Sequence, residues 1–218
     1  IVSSLPNAGT PFRVQRYILE WAEALEEMAS VEPLFVVSGH GDVFTDDSTE
    51  MLETTAQALR WLDTEVVRRI NDGQWQEQIL AEVELPPEMT ASRYLQPLYG
   101  HTSFAVRDLL RRYMGWYDGN PSMLFPSRKA AIALEVLNLS GGADAIITRV
   151  DELSAGDKAD KQLALHLVDF VILAGGDRVA DGRKRKAELL DGIAAGEKSF
   201  VAGNVLRSAA MIERELLG

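Results

Sequence analysis

The chain has 218 residues, with 22 Lys+Arg against 33 Asp+Glu, three His and no Cys, so its formal net charge is −11. That acidity argues against a phosphate-tracking nucleic-acid binder, and the missing cysteines exclude a disulfide framework, a CxxC zinc ribbon and a thiol nucleophile. With 46% hydrophobic residues there is enough apolar matter for one domain or two small ones, while runs such as residues 34–37 are far too short to span a bilayer.

The chain opens on Ile, and residues 1–10 read as a short extended stretch and a turn with no capped element, as in a piece of a longer polypeptide. Thr10 is placed to cap a helix with Pro11 at its first position, where the absent N–H costs nothing. Val14, Tyr17, Ile18, Trp21, Leu25 and Met28 then recur at helical steps and predict one apolar stripe. Glu32-Pro33 stops that helix. Leu34-Phe35-Val36-Val37 follows as a continuous apolar run, the pattern of a strand buried on both faces. Ser38-Gly39-His40-Gly41-Asp42 is a tight loop at its end. A second helix is capped around Asp47 or Ser48 and stops at Asn71-Asp72-Gly73. A lone strand needs neighbours for its backbone polar groups. None is evident downstream, so its partners are expected upstream of the chain.

From residue 74 the pattern is helical with short breaks. A short helix over 75–83 ends at Pro86-Pro87, residues 92–98 are irregular, and a helix covers 102–114. Trp116-Tyr117-Asp118-Gly119-Asn120-Pro121 is a dense turn cluster. Helices over about 127–140, 143–154, 158–173, 178–194 and 197–216 are separated by Gly141-Gly142, Gly156-Asp157, Gly175-Gly176 and Gly196. Short turns between them predict antiparallel hairpins stacked in the manner of tetratricopeptide units, without a consistent repeat signature. The fold class is therefore mostly α: a helical-hairpin domain preceded by a small α/β segment.

Chemistry is limited to few positions. His40, between glycines at the end of the strand, suits a metal-ligand loop, and it equally suits a tight turn. His101 reads as a loop residue near an N-cap, and His166 as a structural side chain on an apolar helix. No HxH, HExxH or HxxxH pair exists, so the chain cannot assemble a three-ligand zinc site from His. Arg13 and Arg16 could hold an anionic oxygen cluster, or be solvated surface groups. Arg183-Lys184-Arg185-Lys186 is one helical turn in an acidic chain and reads as a solvated face.

Blocks in order give a resemblance. Pro6-Asn7-Ala8-Gly9-Thr10-Pro11 with Val14-Gln15-Arg16-Tyr17 and Glu20-Trp21-Ala22 comes first, then Ser38-Gly39-His40-Gly41. Tyr94-Leu95-Gln96-Pro97-Leu98-Tyr99, Val106-Arg107, Gly115-Trp116-Tyr117-Asp118-Gly119-Asn120-Pro121 and Gly141-Gly142-Ala143-Asp144 follow. Together they resemble the alkyl-sulfatase branch of the metallo-β-lactamase superfamily over essentially the whole chain. Residues 1–73 resemble the end of the metallo-β-lactamase domain and 74–218 the helical dimerisation domain.

The resemblance implies a binuclear zinc enzyme in which metal-activated water attacks a sulfate ester. His40 matches the family's late metal-binding His. Arg13 and Arg16 lie where a sulfate-binding Arg is placed, and Tyr99 and His101 lie in a loop that could reach a neighbouring active site. A homodimer, docked with the N-terminal metallo-β-lactamase part of the same protein, is implied. The HxHxDH motif is missing, so the chain alone is expected to bind zinc weakly and to hydrolyse nothing. The competing reading is a non-catalytic helical dimerisation or interaction module. Compartment, cytoplasmic or periplasmic, is left open by the residues.

Overall fold

The computed structural model describes residues 4–41 and 43–218; residues 1–3 of the opening stretch and Asp42 of the predicted loop lie outside the described residues. Among the described residues it has ten α-helices and one two-stranded sheet, and it forms two compact units, 1–124 with 198–201 and 125–197 with 202–218.

In the first unit, α1 (Ile18–Ser30) packs along α2 (Ser48–Asn71). Ile18, Ala22, Leu25 and Ala29 bury one stripe of α1, facing Leu52, Ala56, Leu59 and Val66 among the buried residues of α2. Burial of each such leucine contributes about 1.5–3 kcal/mol. The first helix begins at Ile18, not at Pro11. Thr10 and Pro11 instead form a turn in which the Arg13 N–H donates to the Thr10 carbonyl at 3.3 Å. The preceding segment is held by longer-range bonds: Leu5 N–H donates to the Gln96 carbonyl at 2.9 Å, and Arg16 Nη1 to the Asn7 carbonyl at 2.9 Å. A helix from Pro11 would break these ties. Val14 and Tyr17, expected on the stripe, are accordingly exposed.

The apolar run after α1 also differs from expectation. Only Val36–Val37 is β1, and it pairs antiparallel with β2 (Val43–Phe44), Val36 opposite Phe44. Its partner lies downstream in the same hairpin. Leu34, Phe35 and Val37 are 85%, 63% and 68% exposed, so the strand is not buried on both faces. Phe44 alone is buried there, its ring edge-on to Tyr94 at 5.9 Å.

Three helices complete this unit: α3 (Gln76–Glu82), α4 (Pro87–Thr90) and α5 (Thr102–Met114), with a 3₁₀ turn at Arg93–Leu95 before α5 and another at Pro121–Met123 after it. Ala105, Val106, Leu109 and Leu110 bury the inner face of α5.

The second unit holds α6 (Lys129–Ser140), α7 (Ala143–Ser154), α8 (Lys158–Ala174), α9 (Val179–Ala195) and most of α10 (Phe200–Glu215). Its centre is α8, which touches α6, α7 and α9. Ile147, Val150, Val168, Val171, Leu190 and Ile193 form its core. Gly141, at φ +87°, takes the left-handed conformation that ends α6 and lets α7 start at once. No single helix among the described residues is long and apolar enough to cross a membrane.

Candidate functional site

His40 lies in the turn of the β1–β2 hairpin, exposed, and its backbone carbonyl accepts from the Ser38 hydroxyl at 2.9 Å. Among the described residues no group of three or more His, Asp or Glu converges well enough to hold a metal ion. The described residues therefore do not complete a zinc centre by themselves.

The two arginines differ. Arg16 is committed to the chain itself: its guanidinium bonds the Asn7 carbonyl and sits 5.9 Å over the Trp21 ring. Arg13 is exposed and its guanidinium makes no ion pair or hydrogen bond among the described residues.

Arg16 also marks a corner that the spacing did not reveal. Asp108 of α5 faces the Arg16 backbone there, and Asp108 Oδ2 and Asn7 Oδ1 are buried without partners. Gly9 closes the corner; a Cβ there would lie 2.7 Å from Asp108 Oδ2 and 2.7 Å from the Phe104 carbonyl. Burial pushes the Asp108 carboxyl above the usual range, against the opposing pull of the Arg16 backbone N–H dipole and of the nearby Arg111 and Arg16 charges.

His101 is itself the N-cap of α5, its Nδ1 accepting from the Ser103 N–H at 3.2 Å and lying 2.7 Å from the Ser103 hydroxyl. Its ring is half-buried, 5.6 Å from Phe104. Tyr99 stacks on Phe200 at 6.2 Å, and its carbonyl accepts from the Ser199 hydroxyl at 2.8 Å. Both residues are therefore held in place by local contacts. The third histidine, His166, is exposed on α8 with Gln162 as neighbour.

Two further features went unread. Asp47, expected as a cap, turns its carboxylate to the Tyr94 hydroxyl and Arg93 instead; the Tyr94 bond, then the Arg93 charge, hold it below the usual range. The basic run on α9 is not a free face: Arg183 pairs with Glu213, Arg185 with Asp151, and Lys186 with Asp169 and Glu213.

The alkyl sulfatase dimerisation family matches residues 76–215. The chain is 29% identical over 179 residues to a linear primary-alkylsulfatase of a Pseudomonas species, covering 78% of this chain and 32% of that protein. It is 29% identical over 152 residues to an (R)-specific secondary-alkylsulfatase of Pseudomonas, covering 69% of this chain and 22% of the relative. Among solved structures, a double mutant of the Pseudomonas sec-alkyl sulfatase PisA1 superposes with a TM-score of 0.87 at 25% identity, over 97% of this chain and 34% of that one. The chain thus spans about a third or less of the length of these relatives.

Proposed function

Because the chain belongs to the alkyl sulfatase dimerisation family, we propose that it is the C-terminal portion of a zinc-dependent alkyl sulfatase-like hydrolase. Residues 1–73 would finish a metallo-β-lactamase-like domain, and residues 74–218 would form the dimerisation domain. The carrying observation is the family match over 76–215 joined to alkylsulfatase relatives that extend well beyond this chain.

In this reading His40 is the one metal ligand supplied from here, and the remaining ligands come from the preceding part of the protein. The exposed hairpin turn supports that role, since an imidazole flanked by Gly39 and Gly41 is open to approach. Among the described residues no further His, Asp or Glu joins His40 in a metal-holding group. Arg13 is the better placed of the two arginines to meet a sulfate ester, because Arg16 already serves Asn7 and Trp21. The capped His101 and the stacked Tyr99 would act as rigid contacts to substrate.

Dimerisation has its own support in α6. Eight of its twelve residues are apolar, yet only Ala133 is buried, and Ile132, Leu134 and Leu139 are exposed at 44%, 50% and 87%. A helix apolar on all sides belongs in an interior. A second copy of the chain is the cover that the family description supplies.

The test is zinc content and alkyl sulfate hydrolysis in the whole enzyme containing this chain. His40→Ala is expected to lose zinc and rate together. Two retained zinc ions with full rate would remove His40 from the site and favour the helical-module reading.

A further inference from the structure

The Gly115-Trp116-Tyr117-Asp118-Gly119-Asn120-Pro121 block, singled out in the sequence, is not used by the function proposed above. It forms one wall of a cavity of about 520 Å³ between α3, α5 and the loop after α5. None of His40, Arg13, Arg16, Tyr99 or His101 lines it.

The wall is fixed. Gln76 Nε2 donates to the Tyr117 carbonyl at 2.6 Å, and a Cβ at Gly119 would meet the Trp75 ring at 3.7 Å. Asp118 Oδ1 accepts from the Asn120 N–H at 2.9 Å, closing the turn on itself. Trp116 is held edge-on to Tyr117 at 6.3 Å and remains 76% exposed beside the opening. A large apolar ring kept exposed by a rigid loop is a surface waiting for apolar contact.

The floor and rim differ in character. Leu80 and Leu110 supply apolar floor, while Arg107 and Arg111 stand four residues apart on α5 and so on one face of it. Both are exposed, and neither guanidinium makes an ion pair or hydrogen bond among the described residues. That is notable in a chain with 33 acidic residues against 22 basic ones, where Arg60, Arg68, Arg69, Arg112, Arg149, Arg178, Arg183, Arg185 and Arg214 all pair with carboxylates. Glu77 and Asp118 also line the cavity, and they disfavour a dianion or a polyanion.

We propose that this cavity binds a singly charged amphipathic anion, its oxygen-bearing head on Arg107 and Arg111 and its aliphatic tail against Leu80, Leu110 and Trp116. The planar guanidinium fork matches sulfate, sulfonate and carboxylate heads alike. An alkyl sulfate and a fatty carboxylate share this chemistry, and the experiment separates them.

The test is titration of the full chain, followed by tryptophan fluorescence, with decyl sulfate and decanoate below their micelle concentrations, and with decanol and inorganic sulfate as controls. Saturable binding of either anion, with decanol and inorganic sulfate both at least about tenfold weaker, is expected, because head and tail each contribute. The tighter of the two anions identifies the head. Arg107→Ala and Arg111→Ala should each weaken binding about tenfold, the loss of one charged hydrogen bond, and Arg→Lys should restore part of it. Trp116→Phe should keep affinity, read by calorimetry, while removing most of the fluorescence change. Unchanged circular dichroism shows that the variants fold, as their exposure dictates. Absence of saturable binding, decanol as tight as the anions, or anion affinity in both arginine variants unchanged from the parent chain would overturn the proposal. So would a change in molecular mass on arginine substitution without a change in anion affinity, which would make this face a contact between copies.

Discussion

The Tyr113 hydroxyl donates to Asp63 Oδ1 at 2.6 Å, tying the last turn of α5 to the middle of α2. Asp63 is 8% exposed, so this carboxylate has little water to replace a lost partner. Partial burial, and then the Asp63 carboxylate, hold the Tyr113 phenol above its ordinary range. Tyr113→Phe is expected to cost about 1–3 kcal/mol in urea unfolding, the penalty of a buried acceptor left unpaired. Asp63→Asn should cost less, because the amide oxygen still accepts.

Asp108 carries the opposite sign. Its folded-state pKa is raised above the unfolded value, so the folded chain holds the proton more readily. The stability this group contributes is therefore present at low pH and is lost as pH rises through its titration. Asp108→Asn removes that penalty and brings amide donors to a corner of unpaired acceptors. Melting at neutral pH should rise by about 2–4 °C, a shift of the size a single kcal/mol produces. The gain should shrink on acidification below the ordinary carboxylate range.

Glu65 behaves conventionally. Bonds from Arg68, and then Arg69, lower its carboxyl to about 2 from 4.5, outweighing desolvation. Its contribution is present above pH 4.5 and is lost as pH falls through about 2. Glu65→Gln should destabilise by about 0.5–1 kcal/mol at neutral pH, the range for partly exposed helix pairs. The difference from the parent chain should close between those two pH values, followed by chemical unfolding at each pH.

Leu134 and Leu139 test the α6 surface. Replacing both with Glu puts charge on a face that is already exposed, so the fold should persist. Light scattering should then fall from twice the 24.0 kDa chain mass to the chain mass itself. An unchanged dimer would move the interface elsewhere.

Much of the helical part was legible because glycine and proline punctuate it. The bounds of α5 and α7 follow directly from His101 with Thr102 and from Gly142 with Ala143. The start of α1 was not legible, since Thr10-Pro11 is a sound local start signal and only the distant ties to Gln96 and within Arg16–Asn7 overrule it. Residues 34–37 misled for a related reason: an apolar run encodes a wish for cover, and the described residues bury Phe44 and only partly cover Val36 of that hairpin. Local pattern named His40, yet could say nothing of what surrounds it. The corner at Asp108 and the pair Arg107–Arg111 depend on contacts or cavities between elements, which periodicity on one element does not report.

The basic turn on α9 has a practical consequence. Three of its four cations are bonded to carboxylates of α7, α8 and α10, leaving Lys184 as the member without an ion pair among the described residues. Heparin or a cation-exchange resin therefore meets no concentrated positive field there.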